Sequence, residues 1–250
     1  MRTSVPWIIA LCLMPEVAVA VECSATSPVQ RVPLLELYTS EGCDSCPPAD
    51  RWVSSLASRG LGSDRLVVLA FHVDYWDRLG WPDRFAQAGF TRRQRAINDR
   101  NRSRVIYTPQ LILNGKDYRR GLRDDFADRV AAISRDPARA ALSLNVRPGE
   151  SQWTVNGKSS GPEPRDALTW LALYESSLAT DVRAGENRDK RLQHDFVVRD
   201  LAGPFASGGF SHVFKVDAAW KRRDLAVAAF IREPRSGDVL QALTVPACSQ

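Results

Sequence analysis

The stretch from Leu34 to Asp50, Leu-Leu-Glu-Leu-Tyr-Thr-Ser-Glu-Gly-Cys-Asp-Ser-Cys-Pro-Pro-Ala-Asp, constrains the fold more than any other part of the chain. Its apolar start (Leu34, Leu35, Leu37, Tyr38) predicts a buried strand, and Thr39, Ser40 and Gly42 predict a turn after it. Pro47 and Pro48, followed by Ala49, Trp52, Val53 and Leu56, have the spacing of an amphipathic helix that opens on proline. Cys43 and Cys46 therefore fall where strand gives way to helix, on one face and close enough to bond. A helix start offers unpaired N–H groups and the positive end of a dipole, and both stabilise a thiolate.

This is the layout of a thioredoxin-type redox site. A Cys-x-x-Cys pair taken alone also fits half a zinc site or a permanent staple, but no second pair follows at zinc-ribbon spacing. A redox-active pair leads, with an inert disulfide second. Cys43 is expected to be the attacking thiol, because the N-terminal cysteine of such pairs is ordinarily the exposed one, and Cys46 the resolving thiol. Asp44 works against the helix start. The dipole favours a thiolate by roughly 0.3–2 kcal/mol. A carboxylate about 6 Å away opposes it by about 0.7 kcal/mol in water and about 3 kcal/mol at an effective dielectric near 20.

Residues 1–20 combine Arg2, an apolar core around Val5–Met14 and the ending Ala18-Val19-Ala20, which predicts a secretory signal peptide cleaved after Ala20. The core is too short to span a bilayer and no later run is long enough, so stable membrane insertion is not expected. The destination is an oxidising one, periplasmic or secreted. There Cys23 and Cys248 are expected to form a structural disulfide. Such a bridge would close a loop of about 225 residues, for roughly 5 kcal/mol of loop-closure entropy at most. The net charge is +5. Its densest basic run, Arg92 to Arg104, predicts a solvated helix face, since Asp99, Ala96 and Ile97 interleave it. Nucleic-acid binding is not expected, because the run lacks interleaved aromatics.

Texture changes near residue 138. Before it, apolar runs at Val67–Val73 and Leu111–Leu113 alternate with helical periodicity at Pro82–Arg102 and Leu122–Ser134. After it come strand-like segments separated by turn pairs such as Asn156-Gly157 and Gly208-Gly209. The expectation is an α/β chain of two domains. A thioredoxin-like domain would span 28–137, and a β-rich, sandwich-like domain 138–250. In such a first domain Thr108-Pro109, ahead of the Leu-Ile-Leu strand, would form a cis bond beside the cysteines and position a partner chain through its backbone. His72 is expected to be a core histidine bonded to backbone or Asp74, with acid/base or metal-ligand roles as alternatives. Trp76 and Trp81 are candidates for a groove near the cysteines, and His194 and His212 are expected to be structural.

Several ordered motifs then resemble one family. Thr39-Ser40-Glu41-Gly42-Cys43-x-x-Cys46-Pro47-Pro48-Ala49-Asp50 is followed by His72-Val73-Asp74-Tyr75-Trp76-Asp77-x-x-Gly80-Trp81, Thr91-Arg92-Arg93-Gln94 and Tyr107-Thr108-Pro109-Gln110. Together with Tyr174-Glu175, Gly185-Glu186-Asn187, His194 and Val197-Val198-Arg199, they resemble the secreted thioredoxin-like proteins designated domain of unknown function 1223. Asp44 and Asp189 depart from that pattern, where a small neutral residue and a glycine are expected. The resemblance implies a thioredoxin-like fold and leaves the activity open.

Three functions fit these residues. The first is thiol–disulfide oxidoreduction on envelope proteins through Cys43 and Cys46, with Thr108 and Pro109 positioning the partner and no dissociable cofactor. The second is a copper or other soft-metal carrier using Cys43, Cys46 and His72. The third is a non-catalytic envelope-binding module with Cys43–Cys46 as a staple. Nothing in the sequence sets an oligomeric state.

Overall fold

The computed structural model describes residues 22–119, 125–161 and 166–246. In chain order it contains β1 (Cys23–Thr26), β2 (Leu34–Thr39), α1 (Pro47–Ser55), β3 (Val67–His72), α2 (Ala88–Arg100), β4 (Gln110–Leu113), β5 (Lys116–Asp117) and α3 (Phe126–Ser134). Strands fill the rest: β6 (Ala141–Pro148), β7 (Gln152–Ser160), β8 (Leu168–Glu175), β9 (Leu178–Asp181), β10 (Arg191–His194), β11 (Val197–Phe205), β12 (Gly208–Lys215), β13 (Leu225–Arg232) and β14 (Val239–Val245). Residues 1–20, where a signal peptide is expected, and Cys248 lie outside the described residues. Cys23 is disulfide-bonded.

Sequence pattern decides how each strand is buried. The continuous runs of β2, β3 and β13 are buried at every position, as a strand covered on both faces must be. The alternating runs of β6 and β7 bury every second residue, which is the mark of a sheet with one wet face. Two main sheets follow. The larger has eight strands in the order β14-β13-β8-β11-β3-β2-β4-β5, and the smaller has four in the order β1-β6-β7-β12. β9 and β10 pair separately as a two-stranded ribbon.

The large sheet corrects the expected fold class. It is mixed: β3 runs parallel to both β2 and β11, and the other pairs are antiparallel. β3 bonds β2 along one side and, through Ala70 opposite Val197, β11 along the other. Strands from both halves of the chain thus share one predominantly β architecture, in place of a thioredoxin-like α/β domain followed by a sandwich. The physical reason is that periodicity identifies a strand but not its neighbour. The apolar runs of β8 and β13 are central strands of a mixed sheet rather than inner strands of a separate sandwich.

One face of the large sheet carries a single core, including Leu34, Leu69, Phe71, Ala172, Ala228 and Phe230, with Phe90 and Ile97 of α2 packed on it. The opposite face is divided. Its β8–β13–β14 part packs against Leu142, Leu144, Trp153 and Val155 of the small sheet. Its β2–β3–β4 part packs against Trp52 and Val53 of α1 and Phe126 and Val130 of α3. α1 is thereby pinned with its N-terminus at the ends of β2 and β3. Among the described residues no helix is long and apolar enough to cross a membrane.

The turn after β4 is a local test of this packing. Gly115 sits at φ +86°, and a Cβ there would stand 2.1 Å from the carbonyl oxygen of Gly237. Gly115→Ala is expected to cost about 1–3 kcal/mol, since it adds a backbone clash to left-handed strain. A lowered urea midpoint at unchanged slope would show it.

Candidate functional site: a buried disulfide backed by ionisable groups

Parallel pairing sets Thr39 at the end of β2 opposite His72 at the end of β3. Past Thr39 the chain turns sharply: the Cys43 N–H donates to Ser40 O and the Cys46 N–H to Cys43 O, each at 3.2 Å. Cys46 is the N-cap of α1, and the prolines that follow, which lack an N–H, occupy first-turn positions where helices leave that group unused. Cys43 and Cys46 are joined as a disulfide with their Cα atoms 5.4 Å apart.

Both cysteines are 0% exposed, although Asp44 and Ser45 between them are exposed. The expected exposure of Cys43 is therefore corrected. Two loops close over the turn. A side chain at Gly42 would meet Trp76 Cβ at 3.1 Å, and the Trp76 indole N–H donates to Thr108 Oγ1 at 2.8 Å. From the other side Asn187 Nδ2 donates to the carbonyls of Glu41 at 2.9 Å and Cys43 at 2.8 Å. The Asp44 N–H donates to Glu186 Oε2 at 3.1 Å.

Behind the pair lies a cluster of buried ionisable side chains: Glu41, Asp50, His72, Asp83 and His194. His72 Nδ1 is 2.6 Å from Asp83 Oδ2. Its partner is Asp83 rather than Asp74, whose Oδ1 accepts from the Thr91 hydroxyl at 2.5 Å. His194 Nε2 lies 3.4 Å from Glu41 Oε1, and Trp81 Nε1 donates to Glu41 Oε2 at 2.8 Å. The two imidazoles meet edge to face, 5.0 Å between centroids. Asp50 accepts from the Thr39 hydroxyl at 3.2 Å.

Burial and mutual charge set the protonation of this cluster. Burial pushes the His72 imidazole down, but the Asp83 carboxylate, helped by Asp50 and Glu41, outweighs it and raises the pKa. Asp83 moves the other way: burial pushes it up, and His72 together with the N–H groups of Glu41 and Phe85 holds it below the usual carboxylate range. Glu41 is likewise held low, burial being outweighed by donors from His194, Thr180 and Trp81. Asp50 alone of the three acids is raised, by burial that His194, His72 and Thr39 only partly offset.

Beside the disulfide runs a groove of about 430 Å³, lined by Ser45, Pro48, Ala49, Tyr107 and Pro109 among others. The Thr108–Pro109 bond is cis. Thr108 and Pro109 thus come together with the cysteine turn, Thr108 through Trp76 and Pro109 through the shared groove. Val105, 59% exposed, lies on the groove wall. For the metal-carrier alternative, no group of three or more histidine, cysteine, aspartate or glutamate side chains among the described residues is arranged to hold a metal ion. His212 lies away from this site, on β12, edge to face with Phe214.

Sequence reasoning missed Asp83, Asn187 and His194 as partners of the cysteine turn. Asn187 and His194 stand in motifs that carry the family resemblance, but no spacing rule links them to Cys43 across more than 140 positions. Asp83 was the more accessible, eleven residues beyond His72 in a loop already rich in acids.

Comparison with known proteins agrees on the fold. Protein AGR_C_4864 from Agrobacterium tumefaciens superposes with a TM-score of 0.63 at 24% identity, covering 88% of this chain and 97% of that one. HBP35 of Porphyromonas gingivalis superposes with a TM-score of 0.63 at 12% identity, covering 90% and 79%. No curated protein matches this chain. Residues 34–232, from β2 through the whole cysteine site to the end of β13, match the family described as protein of unknown function DUF1223, and the chain belongs to that family.

Proposed function

We propose that this protein is an exported thiol–disulfide oxidoreductase that exchanges the Cys43–Cys46 disulfide with thiols of envelope proteins. The observation that carries the proposal is the place of the disulfide: at the start of α1, beside a groove that Ser45 and Pro48 share with Pro109. The helix N-terminus lowers the cost of a thiolate on the sulfur that attacks or leaves. The groove offers apolar walls and tyrosines to a polypeptide segment that brings its own sulfur alongside. The exchange needs no dissociable cofactor, because the electrons reside in the two sulfurs.

Burial of both cysteines favours a second reading, in which the bond is a permanent staple in a binding module. The equilibrium reduction potential separates the two. A value between about −120 and −270 mV is expected for an exchanging pair, and one well below about −300 mV would leave only the staple. Measuring it against glutathione and dithiothreitol buffers, with thiol alkylation as the readout, decides the matter.

A further inference from the structure

On the oxidoreductase reading, on which this inference rests, the site must open, since Cys43 and Cys46 are both 0% exposed. A partner reaches Cys43 only when something moves. Two pieces of chain lie over the turn. Trp76 packs against the core that α2 covers, so lifting it would bare apolar surface. The other piece, Gly185-Glu186-Asn187, is the tip of the β9–β10 ribbon, and the ribbon is held differently. Its two strands pair only with each other. Among the described residues none of the three large cores takes a side chain from 178–194, and Leu178 alone joins an apolar cluster, a small one with Phe85 and Val197. An element with so little apolar anchorage opens at less cost than the sheet beneath it.

The ties that hold the ribbon down are mostly polar. At the tip Asn187 Nδ2 donates to the carbonyls of Glu41 and Cys43 at 2.9 and 2.8 Å, and Glu186 Oε2 accepts from the Asp44 N–H at 3.1 Å. On β9, Arg84 Nη2 donates to the carbonyl of Ala179 at 2.9 Å. The tip is also a unit in itself. The Val182 N–H donates to Lys190 O at 2.9 Å and the Asp189 N–H to Val182 O at 2.8 Å. Lys190 Nζ donates to Asn187 Oδ1 at 2.9 Å, so the Asn187 amide is aimed by its own loop before it meets the turn. At the base, Ser177 and Phe196 flank the ribbon at φ 56° and 60°, a strained conformation for residues with a Cβ. The Ser177 N–H donates to Asp195 Oδ1 at 2.8 Å and the Phe196 N–H to Ser176 Oγ at 3.0 Å. Residues at element ends are where a hinge takes up its change of φ and ψ.

We infer that the β9–β10 ribbon is a lid on the disulfide: Cys43 exchanges only while the tip carrying Glu186 and Asn187 is lifted, and the closed ribbon keeps the pair inert between encounters. The rate of exchange is then set by the opening of the ribbon as well as by the chemistry of the sulfurs.

The test follows reduction of the whole oxidised protein by dithiothreitol at fixed pH. One dithiothreitol thiolate attacks Cys43 Sγ and frees Cys46 as a thiolate. The second then closes the dithiothreitol ring and frees Cys43, and both freed thiolates take protons from solvent. Two electrons pass to the pair, and dithiothreitol leaves as its cyclic disulfide. Asn187→Ala removes two hydrogen bonds from the turn and is expected to speed reduction by about fivefold or more. Arg84→Ala is the sharper variant, because Arg84 is exposed and ties down β9 rather than the cysteine turn. It is expected to speed reduction by about 2- to 12-fold, the worth of one hydrogen bond. Wild-type hydrogen exchange covers the event that Asn187→Ala does not fold: the backbone amides of β9 and β10 are expected to exchange at least about 100-fold faster than those of β2 and β3. A rate that Arg84→Ala leaves unchanged places the barrier in the turn and overturns the lid. Ribbon amides as protected as those of β2 and β3 overturn it equally, and either result leaves the oxidoreductase reading standing. A native pair that dithiothreitol does not reduce overturns both.

Discussion

Cys46→Ser is expected to accumulate mixed disulfides with envelope proteins that disappear on reduction, while Cys43→Ser accumulates few or none. The asymmetry follows from the turn. Cys43 lies at the strand end, where the chain is held by Asn187 at its carbonyl and by the packing of Trp76 on Gly42. Cys46 is the N-cap of α1 and is fixed by the helix itself. An attacking partner must displace cover, and the cover consists of side-chain contacts: the Trp76 indole bonded to Thr108 and the Asn187 amide on the turn. Each is one or two hydrogen bonds, worth about 0.5–1.5 kcal/mol apiece, so opening toward Cys43 is cheap beside unwinding the first turn of α1. Equal trapping by both variants would remove the basis for separate roles. His72→Ala sharpens the result, because an oxidoreductase keeps its trapped species in the Cys46→Ser background, whereas a carrier loses metal affinity.

The residues that could be read from sequence share a property: their signal is local. The strand–turn–helix around Cys43 and Cys46, and the β4 strand behind Thr108-Pro109, follow from runs of a few residues. The sheet did not follow, because the partner of β3 is β11, more than 120 positions away, and its approach is specified by one residue pair, Ala70 and Val197. His194 behind the disulfide was illegible for the same reason, whereas His72 stood out and Asp83 lies only eleven residues beyond it. His194 meets Glu41 only because the β9–β10 ribbon brings it back to the end of β2. Arg93 shows the limit of a charge run read along the chain. Its neighbours Arg92 and Arg95 are exposed as a solvated helix face requires, yet Arg93 turns inward onto a buried carboxylate.

That inward turn sets the largest stability effect expected in the molecule. Glu36, at the centre of β2, is 1% exposed. Its Oε1 meets Arg93 of α2 at 2.5 Å and Arg232 of β13 at 3.6 Å, and its Oε2 accepts from the Tyr38 hydroxyl at 2.8 Å. One carboxylate therefore serves two buried guanidiniums, and the remaining company of Arg93 is aromatic: it lies over Phe71, Trp170 and Phe230 at 5.2–5.6 Å. Burial pushes Glu36 up, but Arg93 and Arg232 outweigh it and hold the carboxyl low. Arg232 is driven down to about 10 by burial and by Arg93, as expected of a cation with half a partner. Glu36→Leu leaves two uncompensated buried charges and is expected to cost about 3–5 kcal/mol, read as a lowered urea midpoint. Replacing all three, Glu36→Leu with Arg93→Met and Arg232→Met, is expected to recover most of that loss, since a buried ion pair adds little over apolar packing of equal volume. The pH dependence has a fixed sign. A carboxyl whose folded pKa is depressed contributes stability that is present above its unfolded pKa, near 4.3. That stability is lost as pH falls toward the lower folded value. Wild type should therefore lose stability through acid pH in a step that the triple variant lacks, and equal acid dependence in the two proteins would show that Glu36 is not the group responsible.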